Sequence, residues 1–406
     1  MSQVNVVAGT AATYCKVEST YGTTPGSMTR IFPRGTVEAK TEQTTIAVDT
    51  QQVNLLLRDL SAHGYKRCTA KLQCDSYIDS TQLNSAASPT TTWLGAMIKT
   101  ALGGESMAAG STYAAGSTAS IINTAVGHGS RFPVGQVAIC DVGNVPEIAV
   151  VTAVSTDAVS VWPSLSASPT TGQDIFNSHT YYFTDANTAT MALQLALAQD
   201  SSTQWTLNGL CISGLAIDLS RDQRLSYTFD FKGSSFTGPS SQSIATTVGT
   251  NSLAGPMVNT SAVCLLQPIA TTTRVHVPME SISLAISTGN DLIEQVGGSN
   301  EGTTGAFRGA PPTVEATVAV AQDSAFFTDY DSNTLYAFVY AVPRGTGATK
   351  RWSGFILYCT VEMRPEQVPI SQGRMGVSLK LRQIDNRLQS TVTTDLARSP
   401  FVIFEG

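Results

Sequence analysis

The chain has 406 residues, 13% of them charged and 42% hydrophobic, with a formal net charge of −6. Its length fits two or three domains, and plentiful apolar residues with little net charge exclude intrinsic disorder. An excess of acids argues against binding duplex nucleic acid, which needs clustered Lys and Arg, and sparse charge suits a surface that other subunits cover.

In chain order, strands are expected at 36–46 and 71–78. One helix follows at Trp93–Leu102, where Leu94, Met97, Ile98 and Ala101 recur at helical spacing and Gly103-Gly104 closes it. Residues 105–177 open in a low-complexity stretch, MAAGSTYAAGSTAS, as linkers do. They then read as a small β-barrel, SH3-like or Ig-like, through FPVGQVAI, EIAVVTAV and DAVSVW. Further strands are expected at 190–197 and 205–217. Leu225, Tyr227, Phe229 and Phe231 then alternate with polar residues, one face apolar and one wet. The remainder reads as strands at 275–287, 313–320, 335–342 and 353–363, a short helix-like turn at 323–328, and the alternation of Val377, Leu379 and Leu381.

This order occurs twice: strand, long loop, strand, helix, strand, bent hairpin. The hairpins match best, WTLNGLCI leading to RLSYTFDF and WSGFILYC leading to MGVSLKLR. The expected fold is mainly β: a β-sandwich/barrel duplicated in tandem, with one short helix per repeat and an inserted small β-barrel module. Repeat 1 would occupy 1–104 and 178–250, the module 105–177, repeat 2 251–385 and a C-terminal arm 386–406. Such a module carries its own core, so its deletion is expected to leave the rest intact.

No catalytic pattern is present. The N-terminus has no basic region before an apolar run, so no secretory leader is expected, and no 18-residue apolar run suggests a membrane span. Seven scattered cysteines without a C-x-x-C pair point to synthesis in a reducing compartment, with Cys74, Cys211 and Cys359 as small core residues. His63, His128, His179 and His276 lack ligand-spaced neighbours and read as exposed loop or strand-end residues. Asp329, Asp331 and Asn333 resemble the start of a calcium loop, but Thr334 replaces its Gly and Tyr340 its Glu, so a polar turn is expected. Neither a phosphate loop, a G-x-S-x-G elbow nor an H-E-x-x-H motif occurs. The expectation is a non-enzymatic chain with no cofactor and no metal.

Two long loops, 47–66 and 288–312, are better candidates, because loops of such length in a compact β fold usually have a function. Each holds an apolar cluster, Val53, Leu55, Leu56 and Leu57 in the first and Leu292, Ile293 and Val296 in the second. Exposed, these would favour aggregation, so contact between subunits or rings is expected there, the alternative being loops folded back on their own sandwich. The final segment, with Phe401, Ile403 and Phe404, reads as an arm docking on a neighbour or, failing that, on its own core.

Three motifs carry a resemblance. VESTYGTTP at residues 17–25 is similar to the N-terminal E-x-x-Y-G-T-x-P element of the tail tube (major tail) proteins of long-tailed bacteriophages. The helix ending WLGAMIKTALGG resembles that family's L-L-x-x-A-L-G helix, and FDFKG its F-x-F-x-G strand end. The likeness runs from about residue 10 to 240 and, through the repeat, more weakly to about 385; the inserted module departs from the minimal pattern.

The resemblance implies a tail tube fold whose subunits close into rings, with inner sheets joined into one barrel, and stack into the conduit for genome ejection. Partners would be further copies of the chain, other tail proteins at the tube ends, and viral DNA passing without specific binding, with no membrane. The location would be the virion tail, after synthesis and assembly in the host cytoplasm. Two folds per chain would make a ring of six folds from three subunits, with the hexamer as the alternative. The module would lie outside the tube. Competing readings are a tail terminator, a baseplate hub, a capsid decoration protein or, from another class, a carbohydrate-binding virion adhesin.

Overall fold

A computed structural model describes residues 3–7, 11–47, 61–76, 91–184, 188–197, 204–220, 223–240, 247–248, 257–272, 274, 277, 279–295, 302–321, 325–344, 351–370, 374–385 and 394–406. The chain begins with β1 (Gln3–Val7), β2 (Ala11–Val17), β3 (Thr29–Ile31), β4 (Thr36–Ala47), β5 (Ser61–Asp75), α1 (Trp93–Leu102) and β6 (Gly103–Ser106). Six strands follow, β7 (Ser111–Thr112), β8 (Ile121–Asn123), β9 (Val137–Val142), β10 (Val145–Ser155), β11 (Ala158–Trp162) and β12 (Asp174–Asn177). Next come β13 (His179–Phe183), β14 (Met191–Leu197), β15 (Gln204–Asp218), β16 (Ser226–Gly233), β17 (Ser235–Ser240) and β18 (Thr247–Val248). Then follow β19 (Val263–Pro268), β20 (Met279–Ser287), β21 (Asn290–Glu294), β22 (Thr303–Arg308), β23 (Thr313–Ala321) and α2 (Ala325–Asp331). The chain ends with β24 (Leu335–Arg344), β25 (Arg351–Val361), β26 (Glu366–Pro369), β27 (Met375–Gln383), α3 (Asp395–Arg398) and β28 (Phe401–Glu405).

The chain is mainly β, as the alternating residues predict. On β23, Val314, Ala316, Val318 and Val320 are buried while Thr313, Glu315 and Thr317 are exposed, the period of a half-buried strand. Helix α1 keeps its expected bounds. The Thr92 side chain accepts from the Gly95 N–H at its start, and Gly103, at φ +100°, ends it. Leu94, Met97, Ile98, Ala101 and Leu102 are its buried face. Residues 77–78 of one expected strand, and 275, 276 and 278 of another, lie outside the described residues.

Two series of antiparallel ladders run in the same order. In the first, β2 pairs with β14, β14 with β15, β15 with β16, β16 with β5, and β5 with β4. In the second, β19 pairs with β24, β24 with β25, β25 with β27, β27 with β23, and β23 with β20. The early part of β15 is flanked by β17, and the early part of β25 by β28. A short ladder, Gly214 to Ser287 and Leu215 to Ile286, joins β15 to β20 and so links the two series. One main core lies between the facing layers, with Leu72, Phe229, Val318 and Leu379 from one side and Leu193, Leu207, Phe338 and Phe355 from the other.

The C-terminal segment corrects an expectation. It does not project: β28 inserts between β25 and β13. Phe401 and Ile403 are fully buried in the main core, and Phe404 is equally buried in a second cluster on the far face of the same sheet. A strand buried on both faces needs apolar residues at every position, and Phe401-Val-Ile-Phe supplies them.

Strands β7 to β12 form a separate six-stranded sheet around their own cluster, including Phe132, Ala149, Val159 and Ile175. The β9–β10 hairpin turns through Gly143 and Asn144, both at positive φ, as a tight two-residue turn requires. This unit is not merely tethered. Val137, Ile139, Ile148, Val150 and Trp162 pack against Ala337, Val339, Ile356, Tyr358, Val402 and Phe404. Arg274 clamps the contact, donating to the carbonyls of Ser164 and Ile148 and pairing with Glu147 at 3.1 Å. Trp162 Nε1 donates to the Thr271 carbonyl at 2.8 Å. This contact argues against removing the unit without consequence, because removal would bare an apolar sheet face.

Candidate assembly surface

One face of the linked sheet, across β4, β5 and β16 and then β20, β23 and β27, points away from the main core. The apolar members of each strand fill the core, which leaves the polar ones outside. Glu38, Glu42, Asp230, Glu315 and Glu362 stand there with Lys40, Arg67, Lys71, Lys232, Lys380 and Arg382. Acids and bases interleave: Lys71 pairs with Asp230 at 3.6 Å, Lys232 with Asp291 at 3.2 Å and Lys380 with Glu362 at 2.7 Å. Between them lie Ser281, Ser283, Ala285, Thr313 and Thr317, short and uncharged. The six-stranded module and the open face sit on opposite sides of the molecule, with the main core and the layer of β24, β25 and β28 between them.

The expected loop at 288–312 is largely a hairpin, β21 paired with β22. It leaves β20 and seats on the other series. Leu292, 8% exposed, joins Ala306 and Cys211 in a small apolar cluster. Asn290 Nδ2 donates to the carbonyls of Ala101 and Ile212, both at 3.0 Å, and Arg308 donates to those of Leu102 and Thr184. Beside this seat lies a groove of about 770 Å³ whose apolar wall includes Ile293 and Phe307, 38% and 41% exposed. Glu42, Arg67, Lys232, Asp291 and Glu294 line the rest of it.

Of the expected contact residues, Ile293 is exposed on that groove, while Leu292 faces its own chain. Val53, Leu55, Leu56, Leu57 and Val296 lie outside the described residues. The first long loop is also shorter than expected, because Ser61–Asp75 is all β5. Phe401, Ile403 and Phe404 are buried within the chain and so are not available to a neighbour. Phe307, Asn290 and Arg308 were not singled out from sequence. Asn290 and Arg308 bond to segments far apart in the chain, and nothing in the local pattern marks them or Phe307.

Buried ionisable groups lie under α1. Glu405 is fully buried, and desolvation, with the charge of Glu105 added, pushes its carboxyl up to about 8. Burial also raises Glu105, but His179, Lys99 and Thr91 outweigh it and hold that carboxyl below its usual range. His179 Nδ1 lies 3.4 Å from Glu105 Oε1, and the ring is buried, which corrects its reading as an exposed residue. His128 is half-buried beside the Ser111 hydroxyl, and the side chains of His63 and His276 lie outside the described residues. Both carboxylate oxygens of Asp329 accept from hydroxyls, those of Thr334 and Tyr336, so its turn is satisfied by its own chain. Burial pushes the thiols of Cys15, Cys68, Cys140 and Cys211 up to about 12, where they are poor nucleophiles.

Among the described residues, no three His, Cys, Asp or Glu side chains are grouped so as to hold a metal ion. Likewise no helix there is long and apolar enough to cross a membrane. Neither a protein-family model nor a curated protein matches the chain.

Proposed function

We propose that this chain is a structural subunit of a tail tube, closing into rings that stack into the conduit for a phage genome. The observation that carries this reading is the repeated ladder order, linked into one sheet through β15 and β20. Such a chain is a tandem pair of tube folds, and three copies would place six folds around a ring. Sheets that close on themselves leave no edge exposed, which favours rings for a molecule with so much strand.

The open face suits the wall of a channel. Its interleaved acids and bases cancel locally, so a passing polyanion is neither held by clustered cations nor met by a uniform negative field. With that face inward, the six-stranded module lies outside and does not narrow the bore.

Negative-stain electron microscopy of the purified protein over rising concentration tests the reading. Hollow stacked tubes with three outer lobes per ring are expected. Six lobes would overturn the trimer, and particles that stop at single rings would move the assignment to a tail terminator.

A further inference from the structure

Inside the chain, a short junction between β15 and β20 joins the two ladder series. On one half, exposed Lys232 of β16 pairs with Thr69, and Thr69 with Lys40. On the other, exposed Arg382 of β27 pairs with Glu315, and Glu315 with Ala285. These rows correspond, so Glu42, two residues beyond Lys40, matches Ser287, two beyond Ala285. Lys232 also faces Cys211 on β15, and Arg382 faces Thr360 on β25. From Cys211 the strand runs over a bulge to Gly214, which pairs with Asp230. From Thr360 it runs to Glu362, whose N–H donates to the carbonyl of Lys380, the counterpart of Asp230. Gly214 and Leu215 therefore match Glu362 and Met363.

Within the chain, Gly214 and Leu215 receive Ser287 and Ile286 of β20. We infer that in a second copy the end of β4 at Glu42 pairs in the same way with Glu362 and Met363, forming the seam between subunits. This deepens the tail tube reading and rests on it. Leu215, inside the internal junction, is 2% exposed, whereas its counterpart Met363 is 52% exposed. A second copy seated there would cover it. Among the described residues, β1 pairs with β4 from Thr36 to Lys40. Of the two acids that meet, Glu362 is held by Lys380 at 2.7 Å, and Glu42 has as its ladder partner Arg67, whose guanidinium pairs with Glu294 at 3.2 Å.

The test is cross-linking of the full chain carrying Glu42→Cys and Glu362→Cys, under mild oxidation, with both single variants as controls. Covalent oligomers are expected from the double variant alone, at concentrations where rings form. Rings or tubes in the microscope without cross-linked oligomers would overturn the seam and leave the tail tube reading standing. Failure of the wild-type chain to form rings at all would instead remove the reading beneath it. Hydrogen exchange on wild-type protein provides a second measurement should the double variant misfold. Amides at 42–47 and 362–364 should slow on assembly, and unchanged exchange there in assembled rings would overturn the seam.

Discussion

Arg308 on β22 donates through Nη2 to the carbonyl of Leu102, 2.8 Å away, so a residue of the hairpin that leaves β20 of one ladder series closes a helix packed on β15 of the other. The last carbonyls of a helix lack intrahelical partners, and a cation there also suits the helix dipole. Arg308→Ala should cost about 2 kcal/mol, the usual scale for hydrogen bonds to a charged group. It should also speed amide exchange across 290–308. Unchanged exchange in that hairpin would mean that the cluster of Leu292, Ala306 and Cys211 holds it unaided.

Strand β28 allows a cleaner contrast. Truncation after Pro400 would strip β25 and β13 of a shared partner and leave two apolar faces open. The truncated chain is expected to aggregate on expression. Phe401→Ala, a milder change, should cost about 3–5 kcal/mol in urea unfolding. A truncated chain that stayed folded and monodisperse, failing only to assemble, would restore the segment to the role of an arm on a neighbour.

Why β28 was hidden in the sequence is a matter of period. β16 and β27 each bury one face, so Tyr227, Phe229 and Phe231, or Val377, Leu379 and Leu381, announce themselves every second residue. Phe401-Val-Ile-Phe is buried on both faces and shows no alternation, only an apolar run compatible with an arm or a core. β9 was readable as a strand from its apolar run, but not its second buried face: all six of its residues are buried, and that two-sided burial docks its unit on the layer of β24, β25 and β28. Helix α1 was legible because its spacing and closing glycines are both local. The hairpin at 290–308 was not, since Asn290 and Arg308 act on carbonyls more than 70 residues away.

Arg274 gives a test of how firmly the six-stranded unit is held. Its guanidinium reaches two carbonyls and Glu147 from a segment outside that unit. Arg274→Ala leaves Glu147, itself little exposed, without its cation, and about 3 kcal/mol of destabilisation is the scale for breaking such a pair. Arg274→Lys should recover only part, lacking the fork of donors. Deleting 107–176 outright should give insoluble protein, because Val339, Ile356 and Tyr358 would face water. Soluble, folded deletion protein would show that the contact is dispensable.

Glu405 makes stability depend on pH in a direction opposite to most acids. Its carboxyl titrates near 8 when folded against an ordinary 4.5, so the folded state holds a proton that the unfolded chain has already lost. Its contribution is complete below about 4.5 and is lost as pH climbs through about 8. Glu105 works the other way: its lowered carboxyl gives stability that is present above 4.5 and lost on acidification. Thermal melts should therefore show a decline in Tm from about pH 5 to pH 8 in the wild-type chain, and Glu405→Gln should flatten that decline while leaving the acid limb in place. Curves that run parallel across this range would mean that Glu405 is ionised in the fold and held by a cation, contrary to its burial beside Tyr181 and Tyr227.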